Sequence, residues 1–165
     1  MKIDSITFSP NCEKITVVVS GCTNNITIEY NNIMSEANYT TPSALTPTNG
    51  TVTWQGVYDT TLSETSPING VVRITVTDVT TPTNTETGLG VSSCELYCCV
   101  AKLVEEGINC TCNCSKCDED IKTAEKVHLL IKSAEASANK GNETDAVDKY
   151  NKAKNYCTST CGCGC

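Results

Sequence analysis

Residues 71–106 read VVRITVTDVTTPTNTETGLGVSSCELYCCVAKLVEE, and the grammar of the chain changes inside this stretch. VVRITVTDV alternates β-branched residues with polar ones, the period of a half-buried strand. CELYCCVAKLVEE places Leu96, Cys99, Val100 and Leu103 at helical spacing. Ser92 and Glu95 have the spacing of a capping box ahead of it, and Gly107 marks its end. The switch falls near residue 90. Two regions with different secondary structure are therefore expected, residues 1–90 and residues 91–165.

The first region is rich in Thr, Val, Ile and Asn, and it holds only Cys12 and Cys22 of the 13 cysteines. KIDSITF, KITVVVS, NITIEY and TVTWQGVY read as further strands, separated by turn material at Ser9-Pro10-Asn11, Gly21–Asn25 and Ser66–Gly70. Short strands at this spacing point to an antiparallel β-sandwich. Weak periodicity and two prolines make 31–49 an exposed loop or arm. Cys12 and Cys22 flank one strand, whose ends lie roughly 30 Å apart, so they cannot pair with each other. Both are expected to be small buried or edge residues.

The second region has eleven cysteines and nine of the eleven lysines. A second helix is expected from Asp118 to Lys140, with Asp118, Glu119 and Asp120 in its first turn, where acids suit the helix dipole. Ile121, Ala124, Val127, His128, Ile131 and Ala134 can face inward. Asn142 caps a third helix running to Cys157, with Ala146, Tyr150, Ala153 and Cys157 on one face. The short loop at Gly141 makes the two an antiparallel hairpin. The fold class is thus α+β: a Thr-rich sandwich followed by a small Cys-rich three-helix module.

The hairpin returns the chain to its start, so two cysteine clusters should meet: Cys110, Cys112, Cys114 and Cys117 before it, and Cys157, Cys161, Cys163 and Cys165 after it. Cys94, Cys98 and Cys99 can join them from the first helix. Four thiolates around zinc is one outcome, since Cys114-x-x-Cys117 has the usual ligand spacing. Disulfides are the competing outcome, and mostly free thiols a third. A redox couple at Cys114–Cys117 lacks a surrounding βαβ pattern. The spacing matches neither common ferredoxin pattern.

Nothing in the chain assembles a catalytic set. His128 is the one histidine, and no nucleophile elbow, phosphate loop, dinucleotide fingerprint or HExxH accompanies it. Trp54 is expected to be a core or interface anchor. The net charge of −7, with no Lys/Arg block, argues against nucleic acid or an anionic membrane as partner. No apolar run reaches the ~20 residues of a membrane span. MKIDSITFSP lacks the apolar stretch of a secretory signal, so synthesis in a cytoplasm is expected.

Three stretches together carry a resemblance: TVTWQGVYDTTL, CELYCCVAKLVEE, and KCDEDIKTAEKVHLLIKSAEASANKGNETDAVDKYNKAKNYC. They resemble small Cys-rich structural proteins of the neck or tail of crAss-like and related tailed bacteriophages of Bacteroidetes. The resemblance spans residues 51–165. It departs from that pattern at Gln55, where an acid is usual, and at Asn139-Lys140-Gly141, where Cys-Gly often stands. It implies a non-enzymatic virion component, made in the host cytoplasm, whose partners are copies of itself and other virion proteins. A receptor- or glycan-binding decoration or fibre module is the alternative, and a metal-handling or redox protein a further one.

Overall fold

The computed structural model describes residues 1–109 and 115–160. The chain divides into two compact units, Met1–Ser92 and Ser93–Cys165, with the boundary two residues beyond the one the composition suggests.

The first unit has seven strands: β1 Lys2–Phe8, β2 Lys14–Ser20, β3 Ile26–Asn32, β4 Asn38–Thr40, β5 Val52–Val57, β6 Gly70–Asp78 and β7 Thr85–Ser92. They form two antiparallel sheets, in the orders β1-β2-β5 and β4-β3-β6-β7. Alternation sets which side chains point between the sheets. Ile15, Val17 and Val19 of β2 meet Ile28 and Tyr30 of β3 and Val72, Ile74 and Val76 of β6, with Val52 and Trp54 of β5 in the same cluster. The unit is a β-sandwich.

Two devices let β1 and β7 close one side of this core. Pairing with β2 slips between Ile3 and Ser5, where Ile3 faces Val19 and Ser5 faces Val18. Asp4 is therefore an extra residue, a β-bulge that shifts the strand's parity. Odd-numbered Ile3 and even-numbered Ile6 and Phe8 all reach the core as a result. Opposite them, β7 offers glycine. A Cβ added at Gly90 would lie 2.7 Å from Ile6 Cγ2, and one at Gly88 3.1 Å from Ile6 Cδ1. β7 is a strand without inward side chains along this stretch because β1 occupies their space. This is also why the strand pattern of residues 85–92 does not show in the sequence.

Residues 31–49 are not a free arm. β4 pairs with β3 through Glu29–Thr40 and Asn31–Asn38. Thr41 Oγ1 accepts the Ile28 amide at 3.1 Å, and Ile26 and Leu45 exchange two backbone hydrogen bonds of 3.0 and 2.8 Å. Tyr39 stacks on Trp54 with ring centroids 6.1 Å apart.

One buried carboxylate organises the loops at the end of β3. Glu64, 8 % exposed, accepts hydrogen bonds from the Tyr30 hydroxyl at 2.6 Å, Asn32 Nδ2 at 2.7 Å and Ser35 Oγ at 2.8 Å. Burial, followed by the bond to Glu64, pushes the Tyr30 phenol far above its ordinary range. Three donors satisfy the carboxylate, which is what permits its burial.

Among its described residues the second unit has three helices: α1 Cys94–Ile108, α2 Ser115–Asn139 and α3 Glu143–Thr160. The capping box expected at Ser92 is absent. Ser92 closes β7, and its hydroxyl donates to the Ile68 carbonyl at 2.5 Å. Ser93 is the residue before α1 and makes no side-chain cap bond. Nor does Gly107 stop α1; it lies within it. A Cβ there would meet Ile121 Cγ1 at 2.6 Å, so this glycine lets α2 approach closely. α2 ends in a Schellman motif: Gly141 has φ +72°, its amide bonds Ala138 O at 2.8 Å, and the Asn142 amide bonds Ser137 O at 2.9 Å. Asn142 also caps α3, its Oδ1 accepting the Asp145 amide at 3.2 Å. One residue ends one helix and starts the next.

Truncating Glu64 leaves its three donors without their acceptor. Glu64→Ala is expected to cost the sandwich about 3 kcal/mol, and Glu64→Gln about 1 kcal/mol, since the amide oxygen still accepts. Urea unfolding followed by Trp54 fluorescence measures both, because the chain's one tryptophan lies in this unit.

Candidate functional site

The helical unit concentrates the chemistry the sequence singled out. Its core is built of small side chains. Leu96, Cys99 and Leu103 of α1 are buried, as are Ala124, Val127, Ile131, Ala134 and Ala138 of α2 and Ala146, Tyr150, Ala153 and Cys157 of α3. Alanines let the helices pack closely but contribute little apolar area each. A disulfide supplements them. Cys99 and Cys157, 58 residues apart with Cα atoms separated by 5.9 Å, are bonded. Cys99 is fully buried and Cys157 is 4 % exposed, so the bond lies within the core.

Cys94, Cys98 and Cys117 are disulfide-bonded as well. The disulfide alternative thus describes five of the candidate positions, Cys94, Cys98, Cys99, Cys117 and Cys157. Among the described residues no three His, Cys, Asp or Glu side chains converge where they could hold a metal ion. Cys110, Cys112, Cys114, Cys161, Cys163 and Cys165, the rest of the expected ligand set, lie outside the described residues. In the sandwich, Cys12 is buried, as expected, and it is disulfide-bonded as well. Cys22 is the free cysteine among the described residues, buried, and burial raises its thiol above the ordinary value. A protonated buried thiol is a poor nucleophile.

His128 does not face inward as the helical pattern allowed. It is exposed and meets the Tyr97 ring edge-on, with centroids 6.0 Å apart. Lys132 lies over the same ring at 5.7 Å and pairs with Glu135 at 2.9 Å. Trp54 is 7 % exposed. It is a core anchor and offers no open aromatic face.

The sequence reading missed an open groove between α1 and α2. It has a volume of about 490 Å³ and is lined by Val100, Val104, Ile121, Ala124, Glu125, His128 and Leu129. Leu129 is 67 % exposed. Apolar residues at 100, 104 and 108 recur at helical spacing beside the buried stripe, and that second stripe was the available signal.

Charge fastens the hairpin tip. Lys149 Nζ donates to Asp145 Oδ2 at 2.5 Å and to Ser137 Oγ at 3.0 Å, and Ser137 Oγ donates to Asp145 Oδ2 at 2.5 Å. Lys149, then Ser137, holds the Asp145 carboxyl below its usual value.

No family model matches the chain, and no curated protein matches it. Among the described residues no helix is long and apolar enough to cross a membrane.

Two outcomes follow. A disulfide closing a 58-residue separation stabilises by roughly 4 kcal/mol in the chain-entropy account. Cys157→Ser, or a reductant, is therefore expected to lower the melting temperature of the helical signal at 222 nm, while a chelator alone leaves it unchanged. Asp145 has a depressed folded value, so its contribution is complete above the ordinary aspartate value and is lost as pH falls through the folded one. Helical melting temperature should drop in that acid range, and the Asp145→Asn variant should show a flatter profile.

Proposed function

We propose that this chain is a non-enzymatic structural protein of a tailed-phage virion, assembling with copies of itself in the neck or tail, with the helical unit held closed by sulfur–sulfur bonds. The observation that carries the reading is the buried Cys99–Cys157 bond inside an alanine-rich core. A disulfide buried within a core acts as a staple, not as a redox centre. The resemblance of residues 51–165 to phage neck and tail proteins supports the virion setting. The two-sheet sandwich supplies edges at β1, β5, β4 and β7 through which symmetric copies could join.

The arrangement of titratable groups supports a non-catalytic role. His128 is exposed and touches a tyrosine ring, and the buried carboxylate of Glu64 is fully occupied by donors that belong to the fold. A receptor- or glycan-binding module draws on an accessible aromatic face. Trp54, buried against Tyr39, does not supply one, and that reading is not favoured.

Native mass spectrometry of the oxidised chain tests the proposal. Assemblies larger than a dimer at micromolar concentration are expected, with a mass deficit of about 2 Da for each disulfide and no bound metal. A monomer across that range overturns the assembly reading, and bound zinc overturns closure by sulfur alone.

A further inference from the structure

Four large hydrophobic residues among those described are exposed, and three of them, Val104, Ile108 and Leu129, lie in the helical unit. Val104 and Leu129 are walls of the α1–α2 groove, with Val100, Ile121 and Ala124. Ile108 is one helical turn beyond Val104. Gly107 brings α1 against α2 beneath them. The surface thus carries an apolar trough beside two apolar ridges, Ile108 at 71 % and Leu129 at 67 % exposure. An isologous interface requires a surface that is its own complement, and a trough next to ridges meets that requirement.

We propose that this groove is the two-fold interface with a second copy of this chain, α2 lying antiparallel to α2 of the second copy. The charges identify the occupant. Glu125 lines the groove, and Lys132 lies two helical turns along α2 on the same side, reaching over the Tyr97 ring next to His128. Lys132 also pairs with Glu135 of its own helix, its ammonium still half exposed and able to take a second carboxylate. The midpoint between Glu125 and Lys132 falls between His128 and Leu129. An antiparallel pairing centred there sets Glu125 of each copy against Lys132 of the other, twice per interface by symmetry. A parallel pairing would set Glu125 against Glu125. The apolar trough then supplies affinity, and the paired charges set direction and register.

This inference deepens the self-assembly reading and rests on it. A larger closed assembly needs another surface as well, so the two can fail separately.

The test uses the oxidised full chain in sedimentation velocity at micromolar concentration, with circular dichroism at 222 nm confirming each variant's fold. Glu125→Lys and Lys132→Glu each set like charges face to face, and each is expected to weaken association through this interface at least about tenfold. Mixing the two variants restores opposite charges at both places, so the mixture is expected to associate like the unaltered chain. Leu129→Arg, at an exposed position, is expected to abolish the contact without disturbing the helical signal. Charge variants that associate normally, or a mixture that does not recover, overturn the proposal. If assemblies persist unchanged in every variant, this interface is wrong and the structural reading stands. If the unaltered chain is monomeric throughout, both fall.

Discussion

A shortage of bulky apolar side chains constrains both units. The chain has one Trp and one Phe in 165 residues, and each core holds a single buried tyrosine, Tyr30 in the sandwich and Tyr150 in the helical unit, so aliphatic side chains must supply most of the buried area. The sandwich answers by interdigitation. Aliphatic rows from β2, β3 and β6 meet between the sheets, and the Asp4 bulge brings three β1 side chains into contact with them. The helical unit has fewer aliphatic residues to offer. There a buried disulfide joins the end of the hairpin to α1, and that bond takes the place of the packing that alanines cannot supply.

The polar groups follow the same economy of space. Glu64 could not be buried against aliphatic walls alone; Tyr30, Asn32 and Ser35 surround it with donors and tie β3 to the loops beside it. At the hairpin tip, Ser137, Asp145 and Lys149 form a compact triad bridging α2 and α3. These contacts hold segments whose apolar content is low. They use hydrogen bonds with charged partners, which are individually stronger than neutral ones.

Much of the fold was legible because period and punctuation agreed. KITVVVS and VVRITVTDV are β-branched runs with partial alternation, bounded by turn residues, and Gly141 with Asn142 marks the hairpin turn. β7 was hidden because its inward positions, Gly88 and Gly90, have no side chain to reveal them. β4 was hidden because three residues show no period, and the turn that folds it back onto β3, residues 33–37, carries no Gly or Pro to mark it. Ser92 has the spacing of a capping residue, but its hydroxyl is committed to Ile68. The meeting of α1 with the end of the hairpin followed from topology. The partner of any one thiol did not, because several cysteines lie within a turn of each other on α1. Whether sulfur bonds to sulfur or to metal depends on geometry that spacing alone leaves open. The groove escaped notice because each of its residues, taken singly, resembles an ordinary surface hydrophobe.

The meeting of β1 with β7 has an evolutionary consequence. The volume of Ile6 and the absence of a side chain at Gly90 are two halves of one measurement. A larger residue in β7 has room only where β1 has first become smaller. A smaller residue in β1 leaves a void that only a change in β7 can fill. Neither strand can drift alone, although more than 80 residues of chain separate them. In related sequences, positions 6 and 90 should exchange bulk between them while their combined volume stays constant.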